Sequence, residues 1–391
     1  MKHTLVITAI LGLFIYSCQP TSHEEAEHSF NLIPSGKLVS IELDSVTNFY
    51  QQLTFRVDQT TEGEPVISFI NYINSSVYIY SATTGDQLVS FQLNREGPQG
   101  IGDPVISTLL IHNLDSIFVY SASRASLFLF NREGQLMEKQ VIMRFDDDSV
   151  PIMPEPIGLN RMIIAGNQIF LPSIFKRRLK SYQGVPSVTR FNLNDKTVHT
   201  QYPYPNRYSE AHWGATFKYN TSLAFIPDRQ EILVSYPIID ELYAYSLNDP
   251  NKSSKHMASS QWIDQFEPFN EDITLGMSNP SPEYWEDMND YSLKTSDYAG
   301  LIFNPFNKTI YRITFVRPTE EEYDSGNKAT NLGITAYDLN YNKLAEIKLN
   351  NSSYQPSMIA YNQDGLLLAR TDLFEENEDV MSLELIQLVK K

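Results

Sequence analysis

The sequence predicts an all-β fold, a six-bladed β-propeller of four-stranded antiparallel blades, and three observations carry that expectation. From residue 37 onward, aromatic and β-branched residues recur with period two between short polar turns. Hairpins of one design, an apolar strand, a polar turn and a second strand, repeat along the chain. The last set of strands holds only three, and a spare strand stands at the start. Composition agrees: of 391 residues 42% are hydrophobic, with 23 Tyr and 21 Phe, which excludes a disordered chain. A two-domain β-sandwich is the alternative architecture.

The elements follow in order from the amino terminus. Met1-Lys2-His3 is a short basic segment before the apolar run Leu5 to Tyr16. Twelve helical residues rise about 18 Å, too short for a hydrocarbon core of about 30 Å, so residues 1–17 read as a signal peptide. The chain's single cysteine, Cys18, follows Ser17 directly at its end. A small residue before a cysteine at this position resembles the lipobox of bacterial lipoproteins, which implies acylation of Cys18 and attachment to a membrane without a spanning helix. Tyr16 is bulkier than that pattern favours. Residues 18–36, polar and carrying Glu24, Glu25 and Glu27, read as a flexible tether.

Residues 37–391 read as the propeller. The strand sets cover about 52–93, 105–142, 161–202, 222–259, 298–349 and 357–388. Signature hairpins include Val77-Tyr78-Ile79-Tyr80 before Thr84-Gly85-Asp86, and Leu127-Phe128-Leu129-Phe130 before Arg132-Glu133-Gly134. The fourth strand of the last set is supplied by Lys37 to Leu43, a closure that shields reactive sheet edges. Six blades account for almost the whole mature chain.

With strands A to D numbered outward in each blade, the A–B and C–D turns are short. The long connections, 94–104, 143–160, 173–186, 203–221, 260–297 and 317–331, are B–C or D–A. Those two classes emerge on one face, which is therefore expected to carry the binding surface. Its loops are divided in charge: Arg95, Arg124, Lys176, Arg177, Arg178, Lys180 and Arg207 stand early, against a later run from Asp264 to Asp324 that is dominated by carboxylates. Solvated loops are polar by default, and that alone accounts for much of the pattern. The candidate ligand-binding residues are Arg95, Arg124, Arg177, Arg178, Arg207, His212, Trp213, Trp285 and Arg312. Ser281-Pro282-Glu283 predicts a helix start, with Tyr284, Trp285, Met288 and Tyr291 at helical spacing. Aromatics there, and in the loop holding His212-Trp213 and Tyr202, Tyr204, Tyr208 and Tyr219, suit either packing or a sugar or peptide site, and packing is the simpler account.

The leader, the tether, the weak repeats and two short segments together resemble the six-bladed propeller lipoproteins of Bacteroidetes, of the TolB-like superfamily. The segments are Asn94-Arg95-Glu96-Gly97-Pro98-Gln99-Gly100 and the hairpin from Phe303-Asn304-Pro305 to Ile310-Tyr311-Arg312. That resemblance implies a fold and a cell-envelope, outer-membrane or surface address more than an activity. It fits a binding or interaction module whose partner is a glycan, a peptide or an envelope protein. A polysaccharide-active lyase or hydrolase, or a structural subunit of an envelope complex, are the alternatives.

Chemistry has few signatures. A net charge of −17 disfavours nucleic acid as a partner. No nucleophile elbow, P-loop, dinucleotide fingerprint or His-Glu-x-x-His occurs. Asp146-Asp147-Asp148 and Asp287, Asn289 and Asp290 offer hard oxygens for calcium, but neither set has EF-hand spacing and a solvated turn explains both. No cofactor and no catalytic residue is expected.

Overall fold

A computed structural model of the protein describes residues 29–48, 54–143 and 151–391. The expected signal peptide, Cys18 and Asp146-Asp147-Asp148 lie outside the described residues. The first strand is β1 (Phe30–Glu42). Blade one holds β2 (Arg56–Gln59), β3 (Pro65–Asn71), β4 (Ser76–Ser81) and β5 (Gln87–Gln92), and blade two holds β6 (Ser107–Asn113), β7 (Ser116–Ser121), β8 (Ser126–Phe130) and β9 (Leu136–Val141). Blade three has β10 (Ile152–Pro154), β11 (Ile163–Ala165), β12 (Gln168–Phe175), β13 (Pro186–Asn192) and β14 (Val198–Pro203). Blade four has β15 (Ser222–Ile226), β16 (Glu231–Ser235), β17 (Glu241–Ser246) and β18 (Ser253–Met257). Blade five has β19 (Asp297–Asn304), β20 (Thr309–Val316), β21 (Asn331–Tyr337) and β22 (Lys343–Leu349). Blade six has β23 (Tyr354–Asn362), β24 (Gly365–Arg370) and β25 (Val380–Lys390), completed on its outer edge by β1. Three helices decorate the ring: α1 (Pro282–Lys294), α2 (Glu320–Asp324) and α3 (Thr371–Glu376). The six-bladed all-β propeller of four-stranded antiparallel blades is the fold.

Position in the blade explains each strand's residues. The B and C strands pack against neighbouring blades on both faces, so they read as continuous apolar runs; every residue of β3 is buried. Outer strands meet solvent on one side, and β9 alternates between half-buried and exposed positions.

Closure is antiparallel, running from Phe30 opposite Lys390 to Glu42 opposite Val380, with a bulge between Pro34 and Leu38. The strand begins at Phe30 rather than at the expected Lys37, so residues 30–36 belong to the sheet. Leu32, buried among blade-six side chains, gives that extra length an apolar reason to stay. At the bulge Gly36 takes a left-handed φ of 72° and its N–H donates to Glu384 Oε1 at 3.0 Å. Glu384 Oε2 accepts from Tyr354 Oη at 2.8 Å and from Arg370 Nη1 at 2.6 Å. Gly85, in the C–D turn of blade one, sits so close to β1 that an added Cβ would lie 1.9 Å from Ser40 O.

Blade three departs from the expected pattern. Its inner strand, expected from residue 161, is made of two pieces that both pair with β12: β10 opposite Phe175 to Ser173, and β11 opposite Phe170 to Gln168. Past Glu155, whose N–H still reaches Pro172 O at 2.9 Å, the residues up to 162 leave the sheet and cross the central channel. The helix expected at Ser281 is α1, with Ser281 Oγ accepting the Tyr284 N–H at 3.2 Å. The two shorter helices were not anticipated: α2 opens with a capping box from Thr319 and Glu322, and α3 follows directly on β24.

Glu384 joins the bulge of β1 to β23 and β24, so its loss should loosen closure. Glu384→Ala leaves the Tyr354 hydroxyl and the Gly36 N–H short of a partner and takes one of two carboxylates from Arg370, which keeps Asp372, an expected cost of about 2 kcal/mol. Glu384→Gln, which keeps acceptors, should cost less. A urea-unfolding midpoint unchanged in Glu384→Ala would refute this role.

Candidate functional site

Six inner strands surround the channel, and each turns one unpaired edge toward it. Those N–H and C=O groups need partners. Arg56 and Asp58 on β2 supply several. Asp58 Oδ2 accepts the Ile111 N–H of blade two at 3.0 Å. Arg56 donates to Leu109 O of blade two and, at 3.1 Å, to Met162 O of blade three. It also grips Asp58, its Nε donating to Oδ2 at 2.7 Å and Nη2 to Oδ1.

The crossing segment 155–162 touches the far side of the ring. Leu159 packs against Gly300 of blade five, where a Cβ would come within 2.9 Å of the Leu159 Cβ; glycine there makes the crossing possible. Asn160 Oδ1 accepts from Ser222 Oγ of blade four at 2.6 Å. Arg161 Nη2 donates to Ile359 O of blade six at 2.6 Å. At the start of the segment Pro154 O accepts from Tyr120 Oη of blade two at 3.2 Å. One short stretch of blade three therefore contacts blades on every side, and it plugs the channel.

Below the plug a hollow of about 230 Å³ remains, lined by all six inner strands. Gln59, Phe225, Pro227 and Pro305 stand at its mouth, so it opens at the short A–B turns. The plug occupies the route from the long loops. Arg56, Asp58, Arg161 and Tyr361 are the polar lining at the base.

The opposite, long-loop face is capped over blades three to five. Tyr182, Tyr204, Tyr208, Tyr219 and Tyr236 are buried together, with ring centroids 5.1 Å apart for Tyr204–Tyr208 and Tyr208–Tyr219. Three of their hydroxyls donate to backbone: Tyr204 to Tyr219 O at 3.0 Å, Tyr208 to Lys218 O at 2.9 Å, Tyr236 to Pro203 O at 3.0 Å. This cluster is packing.

Beside it lies a cleft of about 320 Å³, between the 262–267 loop and the end of α1. Trp262 is half-exposed there and lies against Gly333, where a Cβ would come within 2.7 Å of its ring. Phe266 and Tyr291 add aromatic surface, and Asp264, Glu267 and Lys294 add charge. Lys218, itself buried, reaches Thr295 O at 2.6 Å and Asp297 Oδ2 at 3.1 Å. Burial lowers the Lys218 pKa and the neighbouring Asp297 carboxylate opposes that shift.

The nine residues singled out from sequence fall into separate groups. Arg95 is exposed and donates to Tyr72 O and Ser75 Oγ of blade one, while exposed Arg124 adjoins the same 93–106 connection near Gly102. Arg177 is exposed. Arg178 donates to Gly214 O at 2.8 Å and contacts Met288 Sδ at 3.3 Å, tying its loop to α1. Arg207 bonds Phe266 O at 3.0 Å and stacks 5.1 Å above Trp213, whose Nε1–H returns to Arg207 O. His212 and Trp213 are buried, and Trp285 is exposed on α1. Arg312 is not placed to meet a ligand. It is fully buried and spends its guanidinium on the carbonyls of Asp240, Ala258 and Ile239 and on Ser235 Oγ, joining blades four and five. The Tyr-Arg hairpin is thus a structural feature. Asp287, Asn289 and Asp290 lie on α1, and among the described residues no group of three or more His, Cys, Asp or Glu is placed to hold a metal. Sequence reasoning missed Arg56, Asp58, Arg161, Lys218 and Trp262; the last stands in a long loop and was the most findable.

His212 Nδ1 accepts the Gly214 N–H at 2.9 Å, so Nε2 carries the proton toward Tyr284 Oη at 2.8 Å. Burial and the charge of Arg178 push its pKa down to about 4, against a weaker pull from Asp272. The folded value lies below the unfolded one, so its contribution to stability is full above about pH 6.5 and is lost as pH falls toward 4. The thermal midpoint should therefore fall more between pH 7 and pH 4.5 in the wild type than in His212→Asn. Parallel pH profiles would overturn that assignment.

The profile of the family described as "Domain of unknown function (DUF4221)" matches residues 29–348. A solved structure of a DUF4221 member from Bacteroides vulgatus superposes with a TM-score of 0.75 at 14% identity, covering 93% of this chain and 99% of that one. A protein from Bacteroides fragilis named as exported superposes with a TM-score of 0.57 at 9% identity, covering 93% and 96%. No curated protein matches the chain in sequence.

Proposed function

The chain belongs to the DUF4221 family, and we propose that it is an envelope-held binding module that takes a polyhydroxylated ligand, a glycan, in the long-loop cleft beside α1. The observation that carries this reading is Trp262, half-exposed and packed against Gly333 at the wall of a 320 Å³ cleft. An aromatic face held rigid stacks against the apolar face of a sugar ring at little rotamer cost. Asp264 and Glu267 accept from hydroxyls, and Lys294 donates to ring or hydroxyl oxygens. The volume falls at the low end of the usual range of about 300–1,000 Å³, which suits one or two sugar units.

The envelope address rests on the apolar leader, on Cys18 after Ser17, and on the fold shared with the exported B. fragilis protein. Among the described residues no helix is long and apolar enough to cross a membrane. An acylated Cys18 would tether the ring by its first strand, whose amino-terminal end lies on the outer edge of blade six.

On a glycan array, the mature domain should bind at least one class of oligosaccharide, and Trp262→Ala should weaken that binding by about tenfold, the worth of one good stacking contact. Changes in the opposite-face turn, such as Glu133→Ala, should leave it unchanged. Equal binding by wild type and Trp262→Ala would remove this cleft from consideration. Separately, Cys18→Ala should abolish acyl labelling and membrane retention; unaltered fractionation would reject the anchor.

A further inference from the structure

The hollow on the short-turn face carries a feature that the long-loop cleft does not explain. Arg161, on the plug, lines its base and is only 7% exposed. One of its nitrogens bonds Ile359 O, while its Nε has no partner among the described residues. Burial and the nearby Arg56 charge both push its guanidinium pKa down, with Asp58 and Tyr361 opposing. An arginine stays charged even so.

Charge counting sharpens this. The hollow's base holds two guanidinium groups, Arg56 and Arg161, and one carboxylate, Asp58. Asp58 is already committed, since Arg56 holds both of its oxygens and the Ile111 N–H shares one. One positive charge is left without a carboxylate of its own, deep in a chain whose net charge is −17. An isolated buried charge is strongly destabilising unless it is paired. Open space lies beside it, and the rest of the wall is apolar: Ile163, Ile164, Leu223 and Leu301.

We propose that this hollow is a second binding site, for a small organic monocarboxylate whose head group pairs with Arg161 and whose apolar body fills the mouth between Ile164 and Phe225. One unmatched cation calls for one negative charge, which disfavours a phosphate dianion. About 230 Å³ is below the usual range for larger ligands, so the occupant is a small free acid rather than a chain. Access is from the short-turn face, so this site and the glycan cleft are independent, and either can fail without the other.

The test is calorimetric titration of the whole mature domain with hexanoate, beside hexanamide and inorganic phosphate. Hexanoate should bind, and hexanamide, which has the same body without the charge, should bind at least tenfold more weakly. Arg161→Met keeps the volume of the side chain and removes the charge, and it should reduce hexanoate affinity at least tenfold. Ile164→Trp, on the hollow's apolar wall, should block binding by filling the hollow, and it decides the matter if Arg161→Met does not fold. Absence of hexanoate binding, equal binding of hexanamide, tighter binding of phosphate, or full affinity in Ile164→Trp would each overturn the proposal.

Discussion

A propeller protects the outer edges of its sheets poorly and its inner edges hardly at all. Six inner strands face a common axis, and each presents main-chain groups with no neighbouring strand to bond. The remaining organisation of this ring follows from that constraint. Arg56 and Asp58 answer it for blades one and two, and residues 155–162 answer it for the other side by leaving their own sheet. The plug satisfies edges, fills volume and divides the channel in one step. Breaking the inner strand of blade three into two pieces is the structural cost.

That division gives the two faces different characters. On the long-loop side, tyrosines with carbonyl-bonded hydroxyls weld the connections into a rigid cap, and Arg178 and Arg207 tie α1 and Trp213 into it. The 320 Å³ cleft lies at the cap's margin. On the short-turn side no loop among the described residues is long enough to cover the axis, so the hollow beneath the plug stays open. Loop length therefore marks where the surface is elaborated, and the channel's accessible end lies elsewhere.

Much of the ring was legible from sequence because sheets buried on both faces leave a strong mark. Runs such as Val77 to Tyr80 and Leu127 to Phe130 locate C strands, and the unpaired segment 37–43 signals closure with the last blade. Ser281-Pro282 likewise marks the start of α1. The plug left no such mark. Pro154, Pro156 and Gly158 break every period, and a segment that packs across a channel has the composition of a loop. Arg161, at the start of the third strand set, was not singled out because its hydrogen-bond partner Ile359 lies nearly 200 residues away in sequence. Arg312 failed in the other direction: a motif-borne arginine in a hairpin is equally suited to a ligand and to carbonyls, and only the position of the 236–240 turn decides between them.

The plug is also the feature most open to direct measurement. Hydrogen–deuterium exchange, read by mass spectrometry on peptides covering residues 158–162, compares it with an exposed connection such as 94–104. With the channel sealed as described, the plug amides should exchange over hours, together with those of the inner strands. Exchange within seconds, at the rate of the exposed connection, would mean that the axis is open and would contradict this description of both faces.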